Sequence, residues 1–146
     1  RSVGYRFRFV ELAQEISERM PIYIAQRVQA ALNADRIAVN GARILLLGVT
    51  YKADISDQRE SPARPLAAQL LTMGAEVRYF DPHVDSFLVN DRQLPSVGDL
   101  ASAVEWSDVA VLVQAHGEIV GSEALAGASR ILDTRGVLSG DNVERL

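Results

Sequence analysis

Residues 43–48 read Arg-Ile-Leu-Leu-Leu-Gly, the segment of the chain that says most about its architecture. The run Ile44–Leu47 is continuously apolar and offers no polar side to solvent. Such a run is typical of a parallel strand that is covered by helices on both faces of the sheet. Gly48 ends the run, and Asn40-Gly41 indicates a turn just before it. The stretch therefore predicts the first strand of an α/β domain.

The residues after this strand alternate between helical and strand patterns. Ser61-Pro62 predicts an N-cap and first helical position, and Gly74 predicts the end of that helix. Further strands are predicted at 77–80, 109–113 and 130–132, and short helices at 99–106 and 123–126. The segment 83–96 is predicted to be irregular, with room for a short turn of helix and a weak edge strand. This alternation predicts a doubly wound, Rossmann-like parallel sheet over residues 41–146, with helices on both faces.

The first forty residues follow a different pattern. Apolar residues recur there at three- and four-residue steps, which is typical of an amphipathic helix; they are Phe9, Leu12, Ala13, Ile16, Met20, Ile24, Val28, Ala31 and Leu32. Pro21 lacks an amide donor, so we expect the helix to kink or restart there. Because this region has no sheet partner of its own, we expect residues 1–40 to be a connector or an oligomer surface.

The composition excludes several classes of protein. The chain has 146 residues, of which 48% are hydrophobic, so it is the size of one ordinary packed domain. Its net charge of -4 argues against a nucleic-acid binder, and its lack of cysteine excludes thiol chemistry within the chain. The longest apolar run is too short to span a bilayer. The chain also lacks an initiator Met and a signal-peptide pattern, so we expect a fragment or a processed piece.

Three loops follow predicted strands, and ligands of open α/β sheets bind outside the carboxyl ends of the strands. The loops are 48–60, 114–117 and 133–136. The first is the richest in charge, with Lys52, Asp54, Asp57, Arg59 and Glu60. A Lys and an Arg beside a helix N-terminus form a plausible phosphate site, and the alternative is a solvated loop with surface ion pairs. The loop matches neither the G-x-G-x-x-G fingerprint nor a P-loop.

Arg135 is the second candidate for anion binding. It is predicted to project from the end of the last strand, where a bidentate cation could meet a nucleotide. The alternative is an ion pair between Asp133 and Arg135 within the turn. His83 and His116 are far apart in the sequence, so we predict no metal site and expect each histidine to be exposed or to cap a helix.

The segment 48–62, Gly-Val-Thr-Tyr-Lys-Ala-Asp-Ile-Ser-Asp-Gln-Arg-Glu-Ser-Pro, resembles the UDP-glucose/GDP-mannose dehydrogenase family, specifically its C-terminal UDP-sugar-binding domain. The aromatic-Lys pair, the spaced acids and Arg-Glu-Ser-Pro are specific at this spacing. Further matching segments cover nearly the whole chain; they are 8–13, 20–21, 31–33, 74–77, 79–83 and 133–135. The sequence of the helix and of the loop is most similar to the UDP-N-acetylglucosamine 6-dehydrogenase branch of this family, and it is nearly as similar to UDP-glucose 6-dehydrogenases.

The resemblance implies a larger cytoplasmic enzyme that oxidises the C6 alcohol of a nucleotide sugar to a carboxylate by two hydride transfers to NAD. Such enzymes have an NAD-binding domain, a central helix that forms a homodimer, and a UDP-sugar domain. Residues 1–40 would then be part of the central dimerisation helix, and residues 41–146 the UDP-sugar-binding domain. The catalytic Cys and the NAD-binding domain are absent from this chain, so we do not expect it to be catalytic alone.

The resemblance also implies roles for four residues. Tyr51 and Lys52 match residues that contact the nucleotide sugar, and Arg135 matches an arginine near the nucleotide. Arg59 matches an arginine that reaches NAD across the interdomain cleft. Two positions depart from the branch: Ser17 stands where Asn is usual, and the segment 114–116 reads Gln-Ala-His where Thr-x-Trp or Thr-x-His is usual.

Two other hypotheses remain open from the residues alone. The chain could be a non-catalytic dimerisation and interaction module built on a Rossmann-like scaffold. It could also be a flavodoxin-like receiver domain, which is disfavoured because no predicted strand end carries the clustered acids that Mg²⁺ requires. The apolar helix face predicts self-association, since such a face must be buried somewhere, and its alternative is packing onto the chain's own α/β domain.

Overall fold

A five-stranded, wholly parallel sheet forms the centre of the structure, a computed structural model that describes residues 19–146. The elements in chain order are α1 (described over residues 19–34), β1 (Arg43–Leu47), α2 (Ala63–Thr72), β2 (Glu76–Phe80), β3 (Leu88–Val89), β4 (Arg92–Gln93), α3 (Leu100–Trp106), β5 (Val109–Leu112), α4 (Gly117–Val120), a 3₁₀ helix (Glu123–Gly127), β6 (Ile131–Asp133) and β7 (Val143–Arg145). The doubly wound α/β prediction is therefore confirmed.

The strand order is β2-β1-β5-β6-β7, so the direction of winding reverses between β1 and β5. Leu47, the last residue of β1, pairs with Phe80 of β2 and with Leu112 of β5. Leu112 in turn pairs with Asp133 at the end of β6. The carboxyl ends of four strands are thus in register at one edge of the sheet, and the reversal point, where such folds bind ligands, lies in their middle.

The central strand separates two hydrophobic cores because successive side chains of a strand point to opposite faces. Ile44 and Leu46 belong to the core that contains residues of α1 and α2. Leu45 and Leu47 belong to the core that contains residues of α3, α4 and the 3₁₀ helix. All four side chains are completely buried, which is why the strand carries no polar residue between Arg43 and Gly48.

The described part of α1 packs onto this domain. Ile24, Val28 and Leu32 are buried in the first core, as the helical spacing predicts. Arg27 adds polar contacts to β7, donating to Glu144 Oε2 over 3.2 Å and to the Arg145 carbonyl over 3.0 Å. Much of the apolar face of α1 is thus covered by the chain's own sheet, and self-association stays a prediction.

Several elements differ from the sequence-based expectation. The segment expected to be irregular contains the β3–β4 hairpin, whose two loop residues, Asn90 and Asp91, both have positive φ as a type I′ turn requires. The sequence predicted neither α4 nor β7. Because β7 follows β6, the prediction that the strand at 130–132 is the last one is wrong. The predicted helix at 123–126 is a 3₁₀ helix. Pro21 lies in helical backbone, and the kink expected there stays a prediction. The earlier positions of the predicted helix lie outside the described residues; they include Phe9, Leu12, Ala13, Ile16 and Ser17.

Within residues 19–146, none of the helices combines the length and the apolarity that crossing a bilayer demands.

Gly48 is required by both its backbone and its surroundings. Its φ is +79°, a conformation that disfavours residues with a side chain. A Cβ atom at this position would lie 2.6 Å from the Gln114 carbonyl oxygen, because the ends of β1 and β5 approach closely here. The apolar strand can therefore turn into the following loop only through a glycine.

Replacing Gly48 with Ala is expected to lower the free energy of unfolding by about 2–4 kcal/mol, through left-handed backbone strain and the clash with Gln114. Gly41→Ala separates these causes, since its φ is +86° and a Cβ there meets nothing within 4 Å; we expect a loss of about 1–2 kcal/mol. Gly98→Ala, with neither constraint, is the control. Urea-induced unfolding measures all three, and equal losses for Gly48→Ala and Gly98→Ala would contradict the account.

Candidate nucleotide-binding site

A cleft of about 660 Å³ lies at the carboxyl edge of the sheet. Its walls come from the start of the described part of α1, the loop after β1, the start of α2, and the loops after β5 and β6. These are the positions at which the strand order reverses and the strand ends are in register. The location agrees with the sequence-based expectation that a ligand would bind outside the carboxyl ends of the strands.

The structure brings some of the predicted site residues together. Tyr51 and Arg135 both line the cleft and both are exposed. Lys52 follows Tyr51 with an exposed side chain, and its Nζ lies 5.9 Å from the centre of the Tyr51 ring. Neither Lys52 nor Arg59 is among the cleft-lining residues, and Arg59 bonds to Asp57 instead. Its guanidinium donates two hydrogen bonds to the Asp57 carboxylate, each 3.0 Å long.

Asp133 shapes the turn that presents Arg135. Its carboxylate is completely buried and accepts four backbone N–H bonds of 2.7–2.9 Å, from residues 135–138. Both carboxylate oxygens therefore serve the backbone of the turn. Within residues 19–146 the Arg135 guanidinium has no ion-pair partner, so the turn ion pair considered from the sequence is not formed. The cation is left exposed at the cleft.

The start of α2 forms another wall of the cleft. Ser61 Oγ accepts a hydrogen bond of 3.1 Å from the Ala63 amide, and Pro62 has helical φ and ψ of -65° and -17°. This is the predicted N-cap arrangement, although the assigned helix begins one residue later, at Ala63. The role of Arg64 was not predicted: its guanidinium donates to the Gln58 and Leu88 carbonyls and attaches the loop to the β3–β4 hairpin.

His116 is the largest departure from the sequence-based expectation. The residue was expected to be exposed or to cap a helix. It does occupy the N-cap position of α4, but its side chain is completely buried and makes no cap hydrogen bond. Its Nε2 lies 2.9 Å from Asp81 Oδ2, and its Nδ1 accepts a 2.7 Å hydrogen bond from the Asp54 amide. Asp81 also accepts a 2.7 Å bond from the Val49 amide. The ends of β1, β2 and β5 are thereby connected through one buried polar network.

His83 and His116 are neighbours in space, with ring centres 4.6 Å apart. Asp54, His83 and His116 each offer one potential metal-ligand atom, and these atoms lie within 4.8 Å of one another. However, both nitrogens of His116 already have protein partners, and Asp54 Oδ1 accepts a 2.8 Å bond from the Gly117 amide. A metal ion would have to displace these bonds, so the cluster is better described as a hydrogen-bonded scaffold for the loop.

Gln114 is a second residue whose role was not predicted. It is buried at the base of the cleft, and its Nε2 donates a 2.6 Å hydrogen bond to the Tyr51 carbonyl. The contact joins the loop after β5 to the residue that carries the exposed aromatic ring. A hydrogen bond between loops that follow neighbouring strands could have been anticipated from the predicted sheet, but its partner atoms could not.

Two charged side chains of the first loop, Asp57 and Arg59, are paired with each other. The Arg59 guanidinium, together with the Arg59 backbone amide, lowers the pKa of the Asp57 carboxyl from 3.8 to about 2. The same hydrogen bonds raise the pKa of Arg59 above its ordinary value. Because both side chains are open to water, the pair is screened and exchangeable. Arg59 can therefore leave Asp57 for another anion at small cost.

The fold and the cleft together define the class of protein: a Rossmann-like α/β domain with a cleft at the point where the strand order of its sheet reverses. Residues 45–140 match the model of the UDP-glucose/GDP-mannose dehydrogenase family, UDP binding domain. This chain therefore belongs to that family.

Relatives and solved structures agree with this assignment. A UDP-N-acetyl-D-mannosamine dehydrogenase of Methanococcus maripaludis is 33% identical over 75% of this chain and 24% of its own length. A UDP-N-acetyl-D-glucosamine 6-dehydrogenase of Pseudomonas aeruginosa is 29% identical over 58% of this chain and 20% of its own length. The structure of a UDP-D-ManNAc dehydrogenase from Pyrococcus horikoshii superposes with a TM-score of 0.77 at 27% identity, covering 92% of this chain and 32% of that one. The chain thus spans about a quarter of the curated relatives' length.

Replacing Arg59 with Ala is expected to return the pKa of Asp57 from about 2 towards 3.8, because the main hydrogen-bond donor is removed. Since the folded-state pKa is depressed, the pair's contribution to stability is present above pH 3.8 and is lost as the pH falls through about 2. NMR titration of the Asp57 carboxyl carbon measures the shift. Asp35, whose pKa is lowered by Arg130, is the internal control. An ordinary Asp57 pKa in the wild-type chain would contradict the pairing.

Proposed function

We propose that the cleft binds the UDP moiety of a nucleotide sugar, and that this chain is the UDP-sugar-binding part of an NAD-dependent UDP-sugar 6-dehydrogenase. The observation that carries the proposal is the position of Tyr51 and Arg135 on one cleft, with Lys52 beside them, within the segment that matches the UDP binding domain. The site lies where the fold brings strand ends and a helix N-terminus together, which favours an anionic nucleotide.

Three side chains are assigned to the nucleotide. Lys52 is a mobile point charge that suits a diphosphate or a sugar oxygen, whereas the planar guanidinium of Arg135 can bind two phosphate oxygens at once. Tyr51 offers an exposed ring and hydroxyl at the rim of the cleft. Charge-assisted hydrogen bonds are stronger than neutral ones, so the two cations are expected to supply most of the affinity for the diphosphate.

Arg59 is assigned to NAD. Its side chain is 87% exposed and bonded only to Asp57 among the described residues, so it fits a group that must reach across to a cofactor held by another domain. NAD would supply the hydride acceptor for converting the C6 alcohol to a carboxylate. The residues that bind most of NAD, and the catalytic Cys, are proposed to lie elsewhere in the full-length protein.

The proposed organisation keeps residues 1–40 as part of the central dimerisation helix and residues 41–146 as the UDP-sugar domain. Support for an interface on α1 comes from Met20, Ile22 and Tyr23, which stay exposed beside the part of the helix that packs on the sheet. UDP-N-acetylglucosamine and UDP-glucose are the proposed sugars. The similar proteins named above also include enzymes for UDP-N-acetylmannosamine, so the substrate panel must contain it.

Lys52→Ala and Arg135→Ala are each expected to weaken UDP binding by about tenfold or more, because each removes a charge-assisted contact of about 1.5–3 kcal/mol. Isothermal titration calorimetry of the full-length protein measures the affinity, and NADH formation with the UDP-sugar panel measures the activity. The matched control is Arg92→Ala, which removes an exposed arginine of β4 away from the cleft. Unchanged UDP affinity in both Lys52→Ala and Arg135→Ala would contradict the proposed site, and binding without NADH formation would favour the non-catalytic module.

A further inference from the structure

The turn that carries Tyr51 and Lys52 is held partly by its own hydrogen bonds, such as the 2.7 Å bond from the Tyr51 amide to the Asp57 carbonyl, and partly by a group outside it. Asp54, near its end, has a φ of +61°, a left-handed conformation that is costly for a residue with a side chain. The Asp54 amide finds its acceptor outside the turn, in the Nδ1 atom of His116 at 2.7 Å. The turn is therefore stabilised by a side chain that follows a different strand.

His116 makes this contact from a fixed position. The ring is fully buried, and its Nε2 faces the Asp81 carboxylate at 2.9 Å. Because Nδ1 accepts from an amide, the proton must reside on Nε2, and this tautomer also suits Asp81 as the acceptor. Asp81 is itself held by the Val49 amide at 2.7 Å, so the ring is oriented by the end of β2 and the beginning of the turn.

Thr50 connects the same ring to Lys52. The Thr50 side chain is completely buried, and its Oγ1 lies 3.2 Å from His116 Nε2. The same hydroxyl donates a 2.6 Å hydrogen bond to the Lys52 carbonyl. The backbone on both sides of Lys52 is thus tied to His116, directly at Asp54 and through Thr50.

We propose that His116 is a positioning residue for nucleotide binding: its Nδ1 atom holds the turn at residues 50–54 in the shape that presents Tyr51 and Lys52 to the cleft. This inference rests on the proposed function, since the ligand is the UDP moiety assigned above. His116 does not line the cleft, so its effect on the ligand is exerted through the turn.

Two conservative variants separate the two hydrogen bonds of the ring. In His116→Asn the side-chain oxygen can occupy the position of Nδ1 and accept from the Asp54 amide, while the contact to Asp81 is lost. In His116→Gln the amide nitrogen can reach Asp81, while the Asp54 amide loses its acceptor. The proposal requires His116→Gln to impair UDP binding more than His116→Asn does.

The experiment combines hydrogen–deuterium exchange of the peptide containing residues 50–54 with UDP calorimetry, both on the full-length protein. For His116→Gln we expect faster exchange in that peptide without ligand and a Kd for UDP about tenfold higher, as follows if the binding-competent turn is populated about a tenth of the time. His116→Asn is expected to stay within about twofold of the wild type, through rescue of the Asp54 contact. The stability control is Asn142→Ala, which removes hydrogen bonds to the Leu125 and Ala128 carbonyls far from the turn.

The outcomes are distinguishable. Wild-type UDP affinity in His116→Gln, or unchanged exchange of its turn, overturns the positioning role and leaves the proposed function intact. An equal rise in Kd for Asn142→Ala also overturns it, because a general loss of stability would then explain the effect. No UDP binding by the wild-type protein overturns the proposed function, and this inference with it.

Discussion

The pairing of β1 with both β2 and β5 aligns the carboxyl ends of the strands and so places every loop that surrounds the cleft. Leu47 lies between Phe80 and Leu112 at the end of the central strand, and the apolar run before it is buried on both faces. The residues that follow the three strands must therefore meet at one edge. Glycine at position 48 allows β1 and β5 to approach this closely, because a Cβ atom there would clash with the Gln114 backbone.

Two buried carboxylates then organise the loops at this edge. Asp81, after β2, accepts the Val49 amide and faces His116, and Asp133, at the end of β6, accepts four amides of the next turn. Both are satisfied by neighbouring groups, which is what burial of a carboxylate demands. The exposed cations Lys52 and Arg135 are thereby left for a ligand. The buried carboxylates thus fix the conformations of the loops, and the exposed Lys52 and Arg135 are proposed to bind the nucleotide.

The sequence predicted the parts of this structure that rest on local patterns. Apolar runs located four of the five sheet strands, and Ser61-Pro62 and Gly74 located the limits of α2. β7 was missed because the segment 143–145 is short and partly exposed, so no apolar run marks it. The burial of His116 was missed because it depends on β1 pairing with both β2 and β5. Anion binding by Lys52, Arg59 and Arg135 was predicted from their places after strand ends, whereas the role of Tyr51 and the particular ligand of each residue came from the family resemblance; all of these stay predictions.

A crystal structure of the full-length protein with UDP would show whether the nucleotide binds at the carboxyl edge of this sheet. The account predicts the diphosphate in the cleft at the ends of β1, β5 and β6, within hydrogen-bond distance of Lys52 Nζ and the Arg135 guanidinium. It also predicts the turn at residues 50–54 in the conformation described above, with Asp54 still donating to His116. UDP bound elsewhere, with Lys52 and Arg135 both out of reach, would contradict the account.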